Sequence, residues 1–220
     1  MILGIDLTAS EKKPAAYALL HPSGHQATLG FLRSDHDILA LAAYSHPQVV
    51  AIDSPVGFPK GQCCLEESCS CASVWPFKGR VCERELAARG IGSFYTTKRS
   101  IIKAMVYRAI GLVKKLSRLQ CQVLEVYPYA AKIYLFGRPI PSKMRPEGLA
   151  FLKDRIAHLI PGAQENTENL DHDLCDALVV AYTGYLHTLG QTETLGLPEE
   201  GTITVPKSLL PPLVETTTPR

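Results

Sequence analysis

Two short apolar segments of the chain carry an aspartate where an ordinary β-strand would be apolar. Ile2–Thr8 contains Asp6, and Gln48–Asp53 ends on Asp53. The second run is short, β-branched and continuous, which is typical of a strand that other elements cover on both faces. A carboxylate buried in such a place is costly unless a metal ion or a hydrogen-bond network compensates it. The two segments therefore predict a covered sheet with acidic groups inside it.

The order of the remaining segments predicts the topology of that sheet. Ala15–His21 and Ala27–Arg33 are two strands joined by a Pro-Ser-Gly turn, so the chain opens with an antiparallel meander. Val123–Val126 is a further strand, and Gly201–Val205 is a candidate for a late one. We expect an α/β fold in which a mixed five-stranded sheet, with three antiparallel strands and then parallel crossovers, is flanked by helices. Helical spacing is found in Asp35–Ser45, Thr97–Leu119, Leu149–Ile160 and Leu170–Leu189.

The length of 220 residues bounds the number of domains. At about 100–200 residues per domain, we expect one domain with an insertion. The domain is predicted at 1–206, a Cys-, Gly- and Pro-rich insertion at 57–92, and a flexible tail at 207–220. No apolar run approaches the roughly 18 residues of a membrane span. Because the N-terminus has no basic region of the signal-peptide kind, we expect a cytoplasmic protein.

Three further acids accompany the first two. Glu125 lies inside the Val123–Val126 strand, and Asp173 and Asp176 share one face near the start of a late apolar helix. Like charges this close repel one another unless a cation lies between them or the helix N-terminus reduces the cost. Mg²⁺ and Mn²⁺ prefer oxygen ligands, and two such ions held by carboxylates can cleave a phosphodiester. The alternative is that Asp53 caps a turn and that Asp171 or Asp173 caps the helix.

The acidic segments also resemble the motifs of known families. The Asp-x-x-Asp-Ala pair resembles Holliday-junction resolvases of the RuvC type. More closely, GIDLT, IDSP, EVYP and HDLCDAL, spread over about positions 2–206, resemble the family catalogued as domain of unknown function 429, which is described as a predicted nuclease with an RNase H fold. The resemblance implies an RNase H-like fold, with Glu125 as a fifth catalytic acid. The metal ligands that it implies are Asp6, Asp53, Asp173 and Asp176. The resolvases have Glu at the second position, so the shorter Asp53 would hold a metal closer to the backbone or through water.

Five of the seven cysteines fall within twenty residues of the insertion, with the spacing CC-x4-C-x-C-x10-C. Four thiolates in one loop can close a tetrahedral Zn²⁺ site or hold an iron–sulfur cluster, although the two CxxC knuckles of a common zinc ribbon are absent. Disulfides and unligated thiols are the alternatives, and disulfides are disfavoured by the missing secretion signal. We expect the clustered cysteines to hold the insertion together rather than to take part in catalysis. They are Cys63, Cys64, Cys69, Cys71 and Cys82.

Basic residues are concentrated in one stretch, although the net charge is only +2. No acidic residue occurs between Leu86 and Leu124, where eight basic residues lie, most of them outside the apolar arc of the Thr97–Leu119 helix. Such a face can follow a phosphate backbone, and its alternative is an ordinary solvated helix face. The candidates for nucleic-acid contact are Lys98, Arg99, Lys103 and Arg118, with Arg80 as a further candidate near the insertion.

These residues together predict a divalent-metal-dependent nuclease that hydrolyses nucleic-acid phosphodiester bonds with Mg²⁺ or Mn²⁺ at its carboxylates. A non-catalytic, metal-stapled module that binds nucleic acid or protein is the alternative from another class, and it gives the carboxylates no role. A nucleotide-dependent phosphotransferase of the same superfamily is a third alternative. It is disfavoured because residues 8–13 contain no Gly-rich phosphate loop.

Overall fold

The computed structural model describes residues 1–10, 12–163 and 169–207. Its seven strands are β1 (Ile2–Asp6), β2 (Ala15–Leu20), β3 (Ala27–Leu32), β4 (Val49–Asp53), β5 (Gln122–Glu125), β6 (Thr192–Leu195) and β7 (Ile203–Pro206). They form one mixed sheet in the order β3-β2-β1-β4-β5-β7-β6. β1, β2 and β3 are an antiparallel meander, whereas β4, β5 and β7 run parallel to β1, and β6 is antiparallel to β7 at the edge.

The sheet confirms the predicted meander and parallel crossovers, but the predicted count of five strands is wrong. β6 and β7 add an antiparallel pair beyond β5, where Ile203 lies beside Glu125. The late strand expected at Gly201–Val205 corresponds to β7. β6 has the sequence TETL with only Leu195 buried, so its apolar signal is too weak to separate it from a loop.

Six α-helices lie in the described residues. They are α1 (Asp35–Ser45), α2 (Val81–Ala88), α3 (Lys103–Leu116), α4 (Pro128–Phe136), α5 (Pro146–Leu159) and α6 (His172–Thr188). α2 lies within the expected insertion, and neither α2 nor α4 follows from the sequence patterns above. α3 begins six residues later than the predicted Thr97, and the 3₁₀ turn Ser117–Leu119 follows it.

Helices cover both faces of the central strands, as the apolar runs predict. On one face, Ile2 and Val49 belong to a core that includes side chains from α5 and α6. On the other face, Leu3 and Val50 belong to a core with side chains from α1 and α3. Alternate residues of β1 and β4 therefore point to different helical layers.

Gly4 allows α6 to lie directly on β1. A Cβ atom at Gly4 would lie 2.4 Å from the Ala181 nitrogen and 2.5 Å from the Ala177 oxygen, which is closer than a side chain permits. Further along the helix, a Cβ atom at Gly184 would lie 2.8 Å from Cγ2 of Ile2. α6 thus runs antiparallel to β1, and its first turn lies at the carboxyl end of β1.

Residues 57–80, called the Cys-rich segment below, contain no α-helix or β-strand. They connect β4 to α2 and form the irregular part of the expected insertion. Of the predicted tail at 207–220, only Lys207 belongs to the described residues, and the rest lies outside them. Within the described ranges, no helix is both long and apolar enough to cross a membrane.

Candidate functional site

Asp6 and Asp53 end two neighbouring parallel strands. β1 and β4 pair in register, with Asp6 opposite Asp53, so both side chains leave the sheet at its carboxyl end and on the same face. That face is the one that α6 covers, because Ile2 and Val49 each lie four residues earlier on the same face of their strands. Within the described residues, neither carboxylate has a hydrogen-bond or ion-pair partner.

Burial and mutual repulsion raise the pKa of both aspartates. Burial is the largest cause at Asp6, followed by the charges of Asp176 and Asp173, and these raise its pKa to about 7. Burial again comes first at Asp53, followed by Asp6 and Asp176, and its pKa is raised well above the ordinary value. Lys143 opposes both shifts. The two strands and α6 therefore bring all four predicted aspartates within electrostatic reach of one another.

The first two turns of α6 supply the other two aspartates. Asp171 is the N-cap, since its Oδ1 accepts a hydrogen bond from the Leu174 nitrogen at 2.8 Å. The capping role considered for Asp171 or Asp173 therefore falls to Asp171. Asp173 is about a third exposed and forms an ion pair with Nζ of Lys13 at 2.9 Å, whereas Asp176 is buried.

Two lysines hold the buried Asp176. Nζ of Lys132, on α4, forms an ion pair with Oδ1, and Nζ of Lys143, on the loop before α5, forms one with Oδ2. The Lys132 side chain is 3% exposed and that of Lys143 is 54% exposed. Burial alone would lower the pKa of Lys143, but the charge of Asp176 and the hydrogen bond to it raise that pKa. The one sequence signal for these lysines is that Lys132 interrupts the apolar run of α4.

A cavity of about 660 Å³ opens beside Asp53 and Asp176, and both lysines line it. This volume is within the range of roughly 300–1,000 Å³ that is typical of small-molecule sites. The remaining wall is largely apolar and aromatic, so the charged groups face a partly dry space. Its larger side chains are Phe94, Ile102, Met105, Tyr127, Tyr129 and Ile140. Burial, followed by the charge of Asp53, raises the pKa of Tyr127 to about 12.

Glu125, the predicted fifth acid, lines the same cavity but is engaged by Arg80. Nη1 and Nη2 of Arg80 donate to Oε2 and Oε1 at 2.7 and 2.6 Å, and the Val56 nitrogen donates to Oε2 at 2.9 Å. Burial raises the pKa of Glu125, and the charge of Arg80 opposes that rise. Arg80 itself is 0% exposed. The structure thus gives Glu125 a bidentate protein partner, and it removes Arg80 from the residues that can contact nucleic acid.

Four of the five clustered cysteines come together. Their sulfur atoms all lie within 4.8 Å of one another, which is the only grouping of this kind among His, Cys, Asp and Glu in the part of the chain that the structure describes. The four are Cys63, Cys64, Cys69 and Cys71. Cys82 is not one of them: it lies in α2, fully buried in a core with Leu86 and Ile203. Its place in the predicted cluster is therefore wrong, because α2 turns its side chain into the apolar core.

The basic residues expected to contact nucleic acid do not form one continuous face. Lys98 donates a hydrogen bond to a backbone carbonyl of the Cys-rich segment. Arg99 and Lys103 each lie 3.6 Å from a glutamate of that segment. Arg118 is exposed at the opposite end of α3, roughly 20 Å from Lys103 at 1.5 Å per residue.

Lys98 and Arg99 also border a second depression, of about 630 Å³. Phe94 lines both this depression and the cavity beside the aspartates. Phe94 is 59% exposed. A basic surface and an acidic cavity therefore adjoin at one exposed aromatic side chain.

The chain belongs to the family described as protein of unknown function DUF429, whose model matches residues 4–201. Among solved structures, it is similar to the Thermus thermophilus RuvC structure, with 13% sequence identity and a TM-score of 0.47. That match covers 86% of this chain and 97% of the RuvC chain. A comparison with curated protein sequences gives no significant match.

Proposed function

We propose that the protein is a divalent-metal-dependent nuclease with an RNase H-like sheet. The observation that carries the proposal is the arrangement of four aspartates at one end of that sheet. Asp6 and Asp53 lie opposite each other on parallel strands, and Asp173 and Asp176 lie on the helix turn above them. The raised pKa of Asp6 and of Asp53 indicates negative charge that the protein leaves poorly compensated. Such groups are typical of functional sites.

The donor set fits Mg²⁺ or Mn²⁺, since hard divalent ions bind carboxylate oxygens. Asp6 and Asp53 would be the first ligands, because no described residue donates to either of them. Asp173 and Asp176 would complete the set. When bound, such an ion supplies Lewis-acid stabilisation of charge on a phosphate. Within the described chain, no three of the four carboxylates lie within 4.8 Å of one another, and Asp176 is paired with two lysines.

The protein's own side chains have separate tasks in this proposal. Lys132 is buried and orients Asp176, whereas the half-exposed Lys143 can leave Asp176 and donate to a phosphate oxygen. The aromatic wall around Phe94 and Tyr127 excludes water and can stack on a base. The basic depression beyond Phe94 offers Lys98 and Arg99 to the neighbouring phosphates. The substrate class that fits is a nucleic acid from which one unpaired nucleotide can enter the cavity.

Calorimetric titration with Mn²⁺ tests the metal site without a choice of substrate. We expect the wild-type protein to bind Mn²⁺ and the Asp6→Asn and Asp53→Asn variants to bind it at least about tenfold more weakly. Asp154→Asn is the matched control, because Asp154 is an exposed aspartate of α5. Equal Mn²⁺ binding by the wild type and Asp6→Asn would contradict the proposal.

Cleavage of single-stranded and branched oligonucleotides in Mn²⁺ then tests the activity. Asp6→Asn should abolish cleavage while the thermal unfolding midpoint stays at or above that of the wild type. The ion pairs between Asp176 and two lysines favour a second candidate, a non-catalytic binding module whose acidic site is already neutralised. That candidate predicts oligonucleotide binding without Mn²⁺ binding, and the same two measurements separate it from a nuclease.

A further inference from the structure

We propose that Cys63, Cys64, Cys69 and Cys71 bind a single Zn²⁺ ion as a tetrahedral tetrathiolate site. The Sγ atoms of Cys63 and Cys69 are 3.7 Å apart, and those of Cys64 and Cys71 are 3.9 Å apart. All four sulfurs lie within 4.8 Å of one another. The four thiols thus surround one small volume rather than forming two separate pairs.

The size of this group matches one metal ion. A Zn–S bond of about 2.3 Å gives a regular tetrahedron with sulfur–sulfur edges of about 3.8 Å. An iron–sulfur cluster shares its cysteines among several irons, so its thiolates are spread more widely. A disulfide needs its two sulfurs at about 2.05 Å. The observed separations agree with the tetrahedral edge and with neither alternative.

Contacts with Tyr107 on α3 and with Lys98 hold the surrounding backbone in place. The hydroxyl of Tyr107 accepts a hydrogen bond from the Leu65 nitrogen at 2.7 Å and donates one to Oε1 of Glu66 at 2.9 Å. Leu65, between the two cysteine pairs in sequence, is 0% exposed. The Lys98 ammonium donates to the carbonyl of Cys69. The segment that carries the thiols is therefore held at Leu65, Glu66 and Cys69, within the cysteine group.

The charge of a tetrathiolate zinc site gives a second reason, besides contact with nucleic acid, for basic residues to lie beside the Cys-rich segment. Four thiolates and one Zn²⁺ ion carry a net charge of about −2. Lys98, Arg99 and Lys103 all contact the Cys-rich segment, so three cations lie around the site that would carry this charge. Four thiolates also leave no open coordination position, so the ion is structural rather than catalytic.

Metal analysis of the protein, purified under reducing conditions without added zinc, tests the site directly. We expect one zinc per chain by mass spectrometry of the elements, no acid-labile sulfide, and release of that zinc as an organomercurial titrates four thiols. Replacement by Co²⁺ should give the visible absorption of a tetrahedral thiolate site. These readouts need no variant and no nuclease activity.

Variants then assign the ligands. Cys69→Ser and Cys71→Ser should each lose most of the zinc, whereas Cys121→Ser, which changes a half-buried cysteine outside the group, should keep it. Iron with sulfide, a mass lowered by two disulfides, or an undiminished zinc content in Cys69→Ser would each overturn the proposal. Mn²⁺ titration of the zinc-loaded protein keeps the outcome separate from that of the nuclease proposal.

Discussion

Two buried polar clusters lie side by side around β5, and they differ in how many hydrogen-bond donors their carboxylates have. In the cluster around Arg80, Glu83 accepts hydrogen bonds from Arg80 and from both the nitrogen and the hydroxyl of Thr96. Glu200 accepts three, and its pKa is lowered because these donors outweigh burial. In the aspartate cluster, Asp6 has no donor among the described residues and its pKa is raised to about 7.

This difference in hydrogen bonding distinguishes the carboxylates that stabilise the fold from those that can bind a ligand. A buried carboxylate with three well-placed donors holds elements together, and nothing remains for a ligand to add. A buried carboxylate without donors lowers stability until a cation binds, so it is kept where binding is useful. By this criterion Glu125 belongs with Arg80, although its position inside a strand resembles that of Asp6.

Arg80→Met should break the satisfied cluster and give the largest loss of stability. It leaves Glu83 and Glu125 buried without their cation, and removal of one partner of a buried ion pair costs about 3–5 kcal/mol. Urea unfolding measures the change. Arg99→Met, at a side chain that is 87% exposed, is the matched control and should change the free energy of unfolding by less than about 1 kcal/mol. A similarly small change in Arg80→Met would show that the network does not support the fold.

The aspartate cluster should make the protein less stable as the pH rises. The pKa of Asp6 goes from 3.8 when unfolded to about 7 when folded, so the folded state binds the extra proton between these values. Stability should therefore fall through this window, by up to about 1.4 kcal/mol per pH unit for one group, and level off above it. Asp53 acts in the same direction.

Urea unfolding without added divalent ions, from mildly acidic to mildly alkaline pH, measures this effect. Asp6→Asn should flatten the profile and be more stable than the wild type at alkaline pH, whereas Asp154→Asn should keep the wild-type slope. If the free energy of unfolding of Asp6→Asn fell with pH as steeply as that of the wild type, Asp6 would not be the source of the pH dependence, and the contrast between the two clusters would be wrong.

Lys143→Met should have the smallest of these effects, a change in the Mn²⁺ affinity of the aspartate cluster. Lys143 competes with a metal ion for Asp176, so its removal should strengthen Mn²⁺ binding by on the order of 1 kcal/mol, about fivefold, for a partly exposed pair. Calorimetric titration gives the affinity. Weaker Mn²⁺ binding in this variant would mean that Lys143 supports the site instead of competing for it.

The central strands and the positions of the four aspartates on them and on α6 could be predicted from the sequence, because both depend on local patterns. Asp6 and Asp53 stand out within apolar runs, and the spacing of Asp173 and Asp176 fixes their shared helix face. The lysine partners depend on non-local contacts, since Lys132 meets Asp176 only when α4 packs beside α6. α2 is not predicted for the same reason: three of the eight residues of VCERELAA are charged, and the partners of its buried Glu83 lie outside the helix.

The carboxylate of Glu200 accepts hydrogen bonds from the backbone near both ends of the Cys-rich segment. Oε1 of Glu200 accepts from the Lys60 nitrogen at 2.8 Å, and Oε2 accepts from the Val81 nitrogen at 2.7 Å. The segment's two ends are thus pinned to a single side chain, and its length has little influence on the sheet. Doubling a loop costs only about 0.6 kcal/mol in closure entropy. Apart from Arg80, which holds Glu83 and Glu125, the residues between these anchors can therefore change in number while the four aspartates stay in place.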